Sequence, residues 1–117
     1  MDPVHDRRGQ TVGWINKDVV YDLSARPRAF ILDAEVYSYR SRHLGRLDKG
    51  FFRDPSGRAV AFMRGARGGP IPPVIAIPPI PPIPAIPPIP PIPPIAPIPA
   101  IPSLNWSPIS WKAFLGE

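Results

Sequence analysis

The sequence predicts an all-β fold: four 16-residue β-hairpin repeats in a pseudo-four-fold arrangement, then a polyproline II tail and a short C-terminal helix. Three observations predict it. A 16-residue unit recurs four times without insertion, starting at Val4, Val20, Val36 and Phe52. Every third residue from Ile71 to Leu104 is aliphatic, mostly with Pro and Ala between. Trp111, Phe114 and Leu115 then fall at helical spacing. A strict period means one small unit repeated, each copy burying its apolar face against the next.

Each unit reads as an apolar run, a turn and a second run. The turn is clearest in the fourth copy, Asp54-Pro55-Ser56-Gly57, whose residue types suit a type I turn followed by a left-handed glycine. Asp6-Arg7-Arg8-Gly9 matches it, Asp22-Leu23-Ser24-Ala25 follows, and Ser38-Tyr39-Arg40-Ser41 is the most divergent. Such a turn is a common hairpin connection. Lys17-Asp18 and Asp48-Lys49-Gly50 lead the chain from one hairpin into the next.

Equivalent positions predict what crowds together. Gly13, Ala29, Gly45 and Ala61 are small, as backbones that approach closely require. Ile15, Ile31, Leu47 and Met63 are aliphatic or Met. A lone hairpin is marginal in water, so the four must pool their apolar faces. Closing on themselves would remove exposed strand edges. The head, residues 1–69, is small enough to need help from the tail or from another copy.

Residues 70–104 form the tail, which carries 17 of the 21 prolines and no charge. Polyproline II has three residues per turn, so the twelve aliphatic side chains share one edge. Proline removes N–H donors and leaves carbonyls unsatisfied in lipid, so the tail is no membrane span. An apolar strip of this length marks a contact surface. The tail is expected to be ordered, with its Ile edge against the head or other chains; a semi-rigid spacer is the competing reading.

Residues 105–117 are an aromatic motif. Ser107-Pro108 has the residue types of an N-cap and first helical position. Trp106, Trp111, Phe114 and Leu115 are candidate interaction residues, either for a partner or as a plug for the chain's own core.

Charge narrows the function classes. The head holds 13 of 14 Lys+Arg and 8 of 9 Asp+Glu, and the whole chain has pI ≈ 10.2. Arg26, Arg42 and Arg58 share one position, just after the turn, and a closed ring would gather them as an anion site. Otherwise they are solvated surface. Eleven head arginines interspersed with Trp14, Tyr21, Tyr37 and Tyr39 suit phosphate contact and base stacking, so nucleic acid is a possible partner. The chain has no cysteine, and His5 and His43 occupy different repeat positions. No catalytic, cofactor-binding or metal-binding pattern is evident. A non-enzymatic structural or protein-interaction module is therefore expected, with a protein partner or self-association through the Ile stripe and no evident small-molecule substrate. The N-terminus MDPVHDRRG lacks an apolar signal region. The expected location is cytoplasmic, or outside the cell by a route without a cleaved signal.

The fragments VYDLSARPRAFI, VYSYRSRHLGRL, FFRDPSGRAVAF, GARGGP and NWSPISWKAFL resemble the bacterial 4-fold beta flower proteins across nearly the whole chain. The resemblance implies a pseudo-four-fold β architecture and no established activity. In the family Lys often fills tail positions that Pro and Ala fill here, so this tail is neutral.

Overall fold

The computed structural model describes residues 1–116. Eight antiparallel strands close into a barrel in chain order: β1 (Asp2–His5), β2 (Thr11–Asn16), β3 (Val19–Asp22), β4 (Pro27–Leu32), β5 (Glu35–Ser38), β6 (His43–Asp48), β7 (Phe51–Arg53) and β8 (Ala59–Phe62). One helix follows, α1 (Trp111–Leu115).

All four hairpin turns have the expected chemistry. In the first, the Gly9 N–H donates to the Asp6 carbonyl and the Asp6 N–H to the Gln10 carbonyl, both at 2.9 Å. The same pair of bonds recurs at Asp22, Ser38 and Asp54. The left-handed position is filled by Gly9, Ala25, Ser41 and Gly57, with φ of 81°, 62°, 63° and 90°. The turn side chains explain why these residues adopt it. Asp6, Asp22 and Asp54 each accept two backbone N–H bonds within their own turn, and Ser38 Oγ does so in the third.

Each hairpin also carries a shift of register that the sequence did not disclose. Val4 faces Gly13 but His5 faces Thr11, and the shift repeats at Val20/Tyr21, Val36/Tyr37 and Phe52/Arg53. The extra residue sharpens local twist and bends the strand, which a barrel this narrow requires.

Val4, Val20, Val36 and Phe52 point inward and are fully buried. Opposite them lie Gly13, Ala29, Gly45 and Ala61. Helix α1 fills the space that this small column leaves. Trp111, Phe114 and Leu115 join the inner core, and the Trp111 ring stands edge-on to Phe52 at 5.0 Å. The plug breaks the equivalence of the four units. A Cβ on Gly13 would lie 3.3 Å from Trp111 Nε1, and one on Gly45 would lie 2.7 Å from Phe114 Cε1. Glycine thus stands where a plug ring lands, and alanine occupies the other two places. Gly45→Val would also strike the Arg53 carbonyl. It is expected to cost at least about 3 kcal/mol in a denaturant titration, the upper end for overpacking.

The helix begins later than Ser107-Pro108 implied. Ser110 is the N-cap, its Oγ accepting from the Ala113 N–H at 3.1 Å. Ser107 is engaged elsewhere: its hydroxyl donates to Asp54 Oδ2 at 2.6 Å and its N–H to the Ala59 carbonyl at 2.7 Å. Among the described residues no helix is long and apolar enough to cross a membrane.

Candidate functional site

The outward face of the barrel is aromatic, and it is buried. Trp14, Tyr21, Phe30 and Tyr37 alternate with inward residues, yet each is at most 5% exposed. The proline-rich segment passes around the hairpin tips as a strap, with Pro73, Ala76, Pro84, Pro91, Pro93 and Ala96 half-buried. Trp14, Tyr21 and Tyr37, expected to stack on bases, are thus withdrawn from solvent, and Tyr39 is half-buried.

The strap is held by its backbone at the left-handed residue of every hairpin. The Ala76 N–H donates to the Gly9 carbonyl at 3.0 Å, Ala85 to Ala25 at 3.1 Å, and Ser103 to Gly57 at 3.0 Å. Ala85 lies nine residues after Ala76, and Ser103 eighteen after Ala85. The missing step falls on Pro94, which has no N–H to give. There Ser41 Oγ donates instead to the Ile92 carbonyl at 3.4 Å. Nine residues of strap therefore pass for each sixteen of head.

Both ends of the strap meet one side chain. Arg53 is 1% exposed, and its guanidinium donates to the carbonyls of Gly57 at 2.6 Å, Ser103 at 2.9 Å and Gly68 at 2.9 Å. Asp48 approaches at 3.5 Å, and the guanidinium lies 5.4 Å from the Phe51 ring centroid. Gly68 and Ser103 are thus brought to the same place after a complete circuit. The sequence reading missed Arg53. A signal was present, because the same repeat position holds His5, Tyr21 and Tyr37.

The strap crosses the weakest seam of the barrel. Other neighbouring strands pair through three or four residues, whereas β1 and β8 pair only through His5 and Phe62. The His5 and Phe62 rings lie 5.5 Å apart, and Trp106 closes over Phe62 and Phe51 at 6.0 and 6.2 Å. Burial lowers the His5 pKa; Arg64 lowers it further, while the Gly9 carbonyl and Asp6 only partly oppose them. The neutral ring is therefore the folded form. Stability should be complete above the ordinary value of 6.5 and decline as pH falls from there toward the folded value. Thermal melts at descending pH should show this slope, and His5→Gln should flatten it.

The aliphatic edge does not face the head. The twelve side chains from Ile71 to Leu104 are between 73% and 98% exposed. The expectation that the Ile edge packs on the head is overturned, and the reason is steric. The strap backbone must come within hydrogen-bonding reach of the turns, so closely that a Cβ on Gly9 would strike the Val74 carbonyl. Only the Pro and Ala edges are low enough to allow this.

The other candidate residues divide. Trp111, Phe114 and Leu115 are buried in the inner core, and Trp106 packs on Phe51 and Phe62. Arg26, Arg42 and Arg58 are exposed, each with its carbonyl closing a hairpin turn. Among the described residues no hydrogen bond or ion pair joins their guanidiniums. A further polar cluster lies elsewhere: Glu35 accepts from or donates to His43 Nε2 at 2.8 Å, according to the proton's position, and pairs with Arg46 at 3.6 Å. A cavity of about 1030 Å³ opens between the first two hairpin tips and the C-terminal segment, flanked by Asp6, Arg7, Arg8, Asp22, Arg28 and Lys112.

Hairpin repeats closed into a barrel and encircled by the chain's own C-terminal strap define a self-girdled β module. The sequence model of the 4-fold beta flower proteins matches residues 2–115, and the chain belongs to that family. No curated protein and no solved structure matches it.

Proposed function

We propose that this protein is a non-catalytic interaction module, a rigid ring that holds a row of twelve aliphatic side chains toward a partner. The outward Ile edge on a strap secured at both ends carries this reading. A solvated spacer would need neither the four turn contacts nor the buried Arg53. The reading includes a pseudo-four-fold head and a polyproline II strap, and lengths support both. The 35 steps from Gly68 to Ser103 extend about 109 Å at ~3.1 Å each. A circle across the 35 Å extent of the molecule has a perimeter of about 110 Å. An α-helix of that many residues would reach only about half as far.

Replacing Ile83, Ile86, Ile89 and Ile92 by Gln tests the reading. The variant should leave an apolar chromatography matrix earlier than the parent chain while melting at the same temperature. Equal retention would overturn it.

Capture of nucleic acid or another polyanion by the head is a second reading, favoured by the exposed Arg26, Arg42 and Arg58. Changing all three to Gln should then weaken binding of a labelled oligonucleotide and make its salt dependence shallower. Unchanged affinity rules out that site.

A further inference from the structure

Among the described residues the exposed carboxylates are confined to one end of the barrel. At the hairpin tips, where the strap runs, Arg7, Arg8, Arg26, Arg40, Arg42 and Arg58 are exposed. The carboxylates at that end are turned inward: Asp6, Asp22 and Asp54 accept backbone N–H bonds of their turns, and Asp54 also accepts from Ser107. Burial pushes the Asp54 carboxyl up, but the hydroxyls of Ser107 and Ser56 and the amides of Arg58 and Ser56 outweigh it and hold it below its ordinary value. Among the described residues the exposed carboxylates are Asp2, Asp18 and Asp33. All three lie at the opposite end, where one hairpin passes to the next and where Lys17, Lys49, Arg64 and Arg67 are exposed as well. The aliphatic edge therefore shares a rim with the exposed tip arginines, while Asp2 borders the strap beside Ile75 and Ile77.

We propose that this rim docks on an anionic lipid surface, with the Ile edge in the headgroup–acyl boundary and the arginines on lipid phosphates or carboxylates. The proposal rests on the reading of the edge as a contact surface and names its occupant. Charge chooses among occupants: the arginines beside the edge favour an anionic surface. A second copy brought rim to rim would set arginine against arginine. Aliphatic side chains beside basic ones are the composition of segments that lie in the membrane interface. Only side-chain tips need enter hydrocarbon, so the strap carbonyls remain at the depth where water satisfies them.

Co-sedimentation of the full chain with vesicles tests this, comparing phosphatidylcholine alone with phosphatidylcholine containing phosphatidylserine. Binding is expected only to the anionic vesicles, and it should weaken as salt rises from about 0.1 M to about 1 M. Each arginine near a charged surface is worth roughly a fivefold change in affinity, so the Arg26, Arg42 and Arg58 to Gln variant should bind at least about tenfold more weakly. The four-isoleucine Gln variant should lose binding by a similar factor while remaining folded. The proposal is overturned if anionic vesicles are ignored, or if either variant binds as well as the parent. Concentration-dependent association in sedimentation velocity, without vesicle binding, would assign the edge to a second copy. The membrane proposal would then fail while the contact-surface reading stood. A monomer that ignores vesicles, with the isoleucine variant equally retained on an apolar matrix, would defeat both.

Discussion

Truncation after Gly69 is expected to abolish cooperative folding of the head. It removes the Trp111, Phe114 and Leu115 plug, and burying side chains of this size contributes about 1.5–3 kcal/mol each. Their sum rivals the whole stability of a small domain, roughly 5–15 kcal/mol. The same cut removes Ile75 and Trp106 from Phe51 and Phe62 and leaves the β1–β8 seam with its single residue pair. The truncated head should lose its near-ultraviolet circular dichroism and aggregate in sedimentation velocity. A truncated head that stays monomeric and melts with the intact chain would show the strap to be dispensable.

Arg53→Met is the most damaging point change expected outside the core column. Methionine keeps the apolar stem but leaves the carbonyls of Gly57, Gly68 and Ser103 without their shared donor. Stranding buried acceptors costs about 1–3 kcal/mol per group, and water can reach some of these, so about 3–5 kcal/mol is expected from denaturant titration. Hydrogen exchange at the Ala76 and Ser103 amides should accelerate along with it, because both strap ends are released. Arg53→Lys should restore only part of the loss, since one ammonium cannot span three carbonyls as the planar fork does. An Arg53→Met protein as stable as its parent would refute the clasp.

What was legible in the sequence is local, and what was hidden depends on distant approach. The hairpin turns could be read because Asp at the first position and Gly at the fourth carry the geometry within four residues. They formed even where Ala25 and Ser41 replace glycine. The small column at Gly13, Ala29, Gly45 and Ala61 correctly announced crowding, but not that the Tyr21 and Arg53 carbonyls share it with the helix rings at the two glycines. The register shifts were invisible, because they answer to barrel curvature rather than to any residue's preference. The direction of the strap misled for a similar reason. A stripe of isoleucines suggests burial when hydrophobic transfer alone is weighed. Here the amides of Ala76, Ala85 and Ser103 had to reach turn carbonyls, and that selected the low edge. Arg53 stood in plain view as the charged member of a column otherwise His or Tyr, and Ser107 looked like a helix cap until Asp54 was seen to hold it.

The nine-to-sixteen correspondence between strap and head makes this chain a pair of meshed gears. The 36 residues from Gly68 to Ser103 serve four hairpins, so the strap's length counts the hairpins it encloses. Losing three strap residues would keep the isoleucines in phase yet draw the amide teeth off their carbonyls. Gaining one or two would keep the reach but rotate the isoleucines toward the barrel. A relative with a fifth hairpin would need nine further strap residues, with a non-proline at the meshing place. In such a protein an insertion in one repeat is tolerated only when its counterpart moves with it.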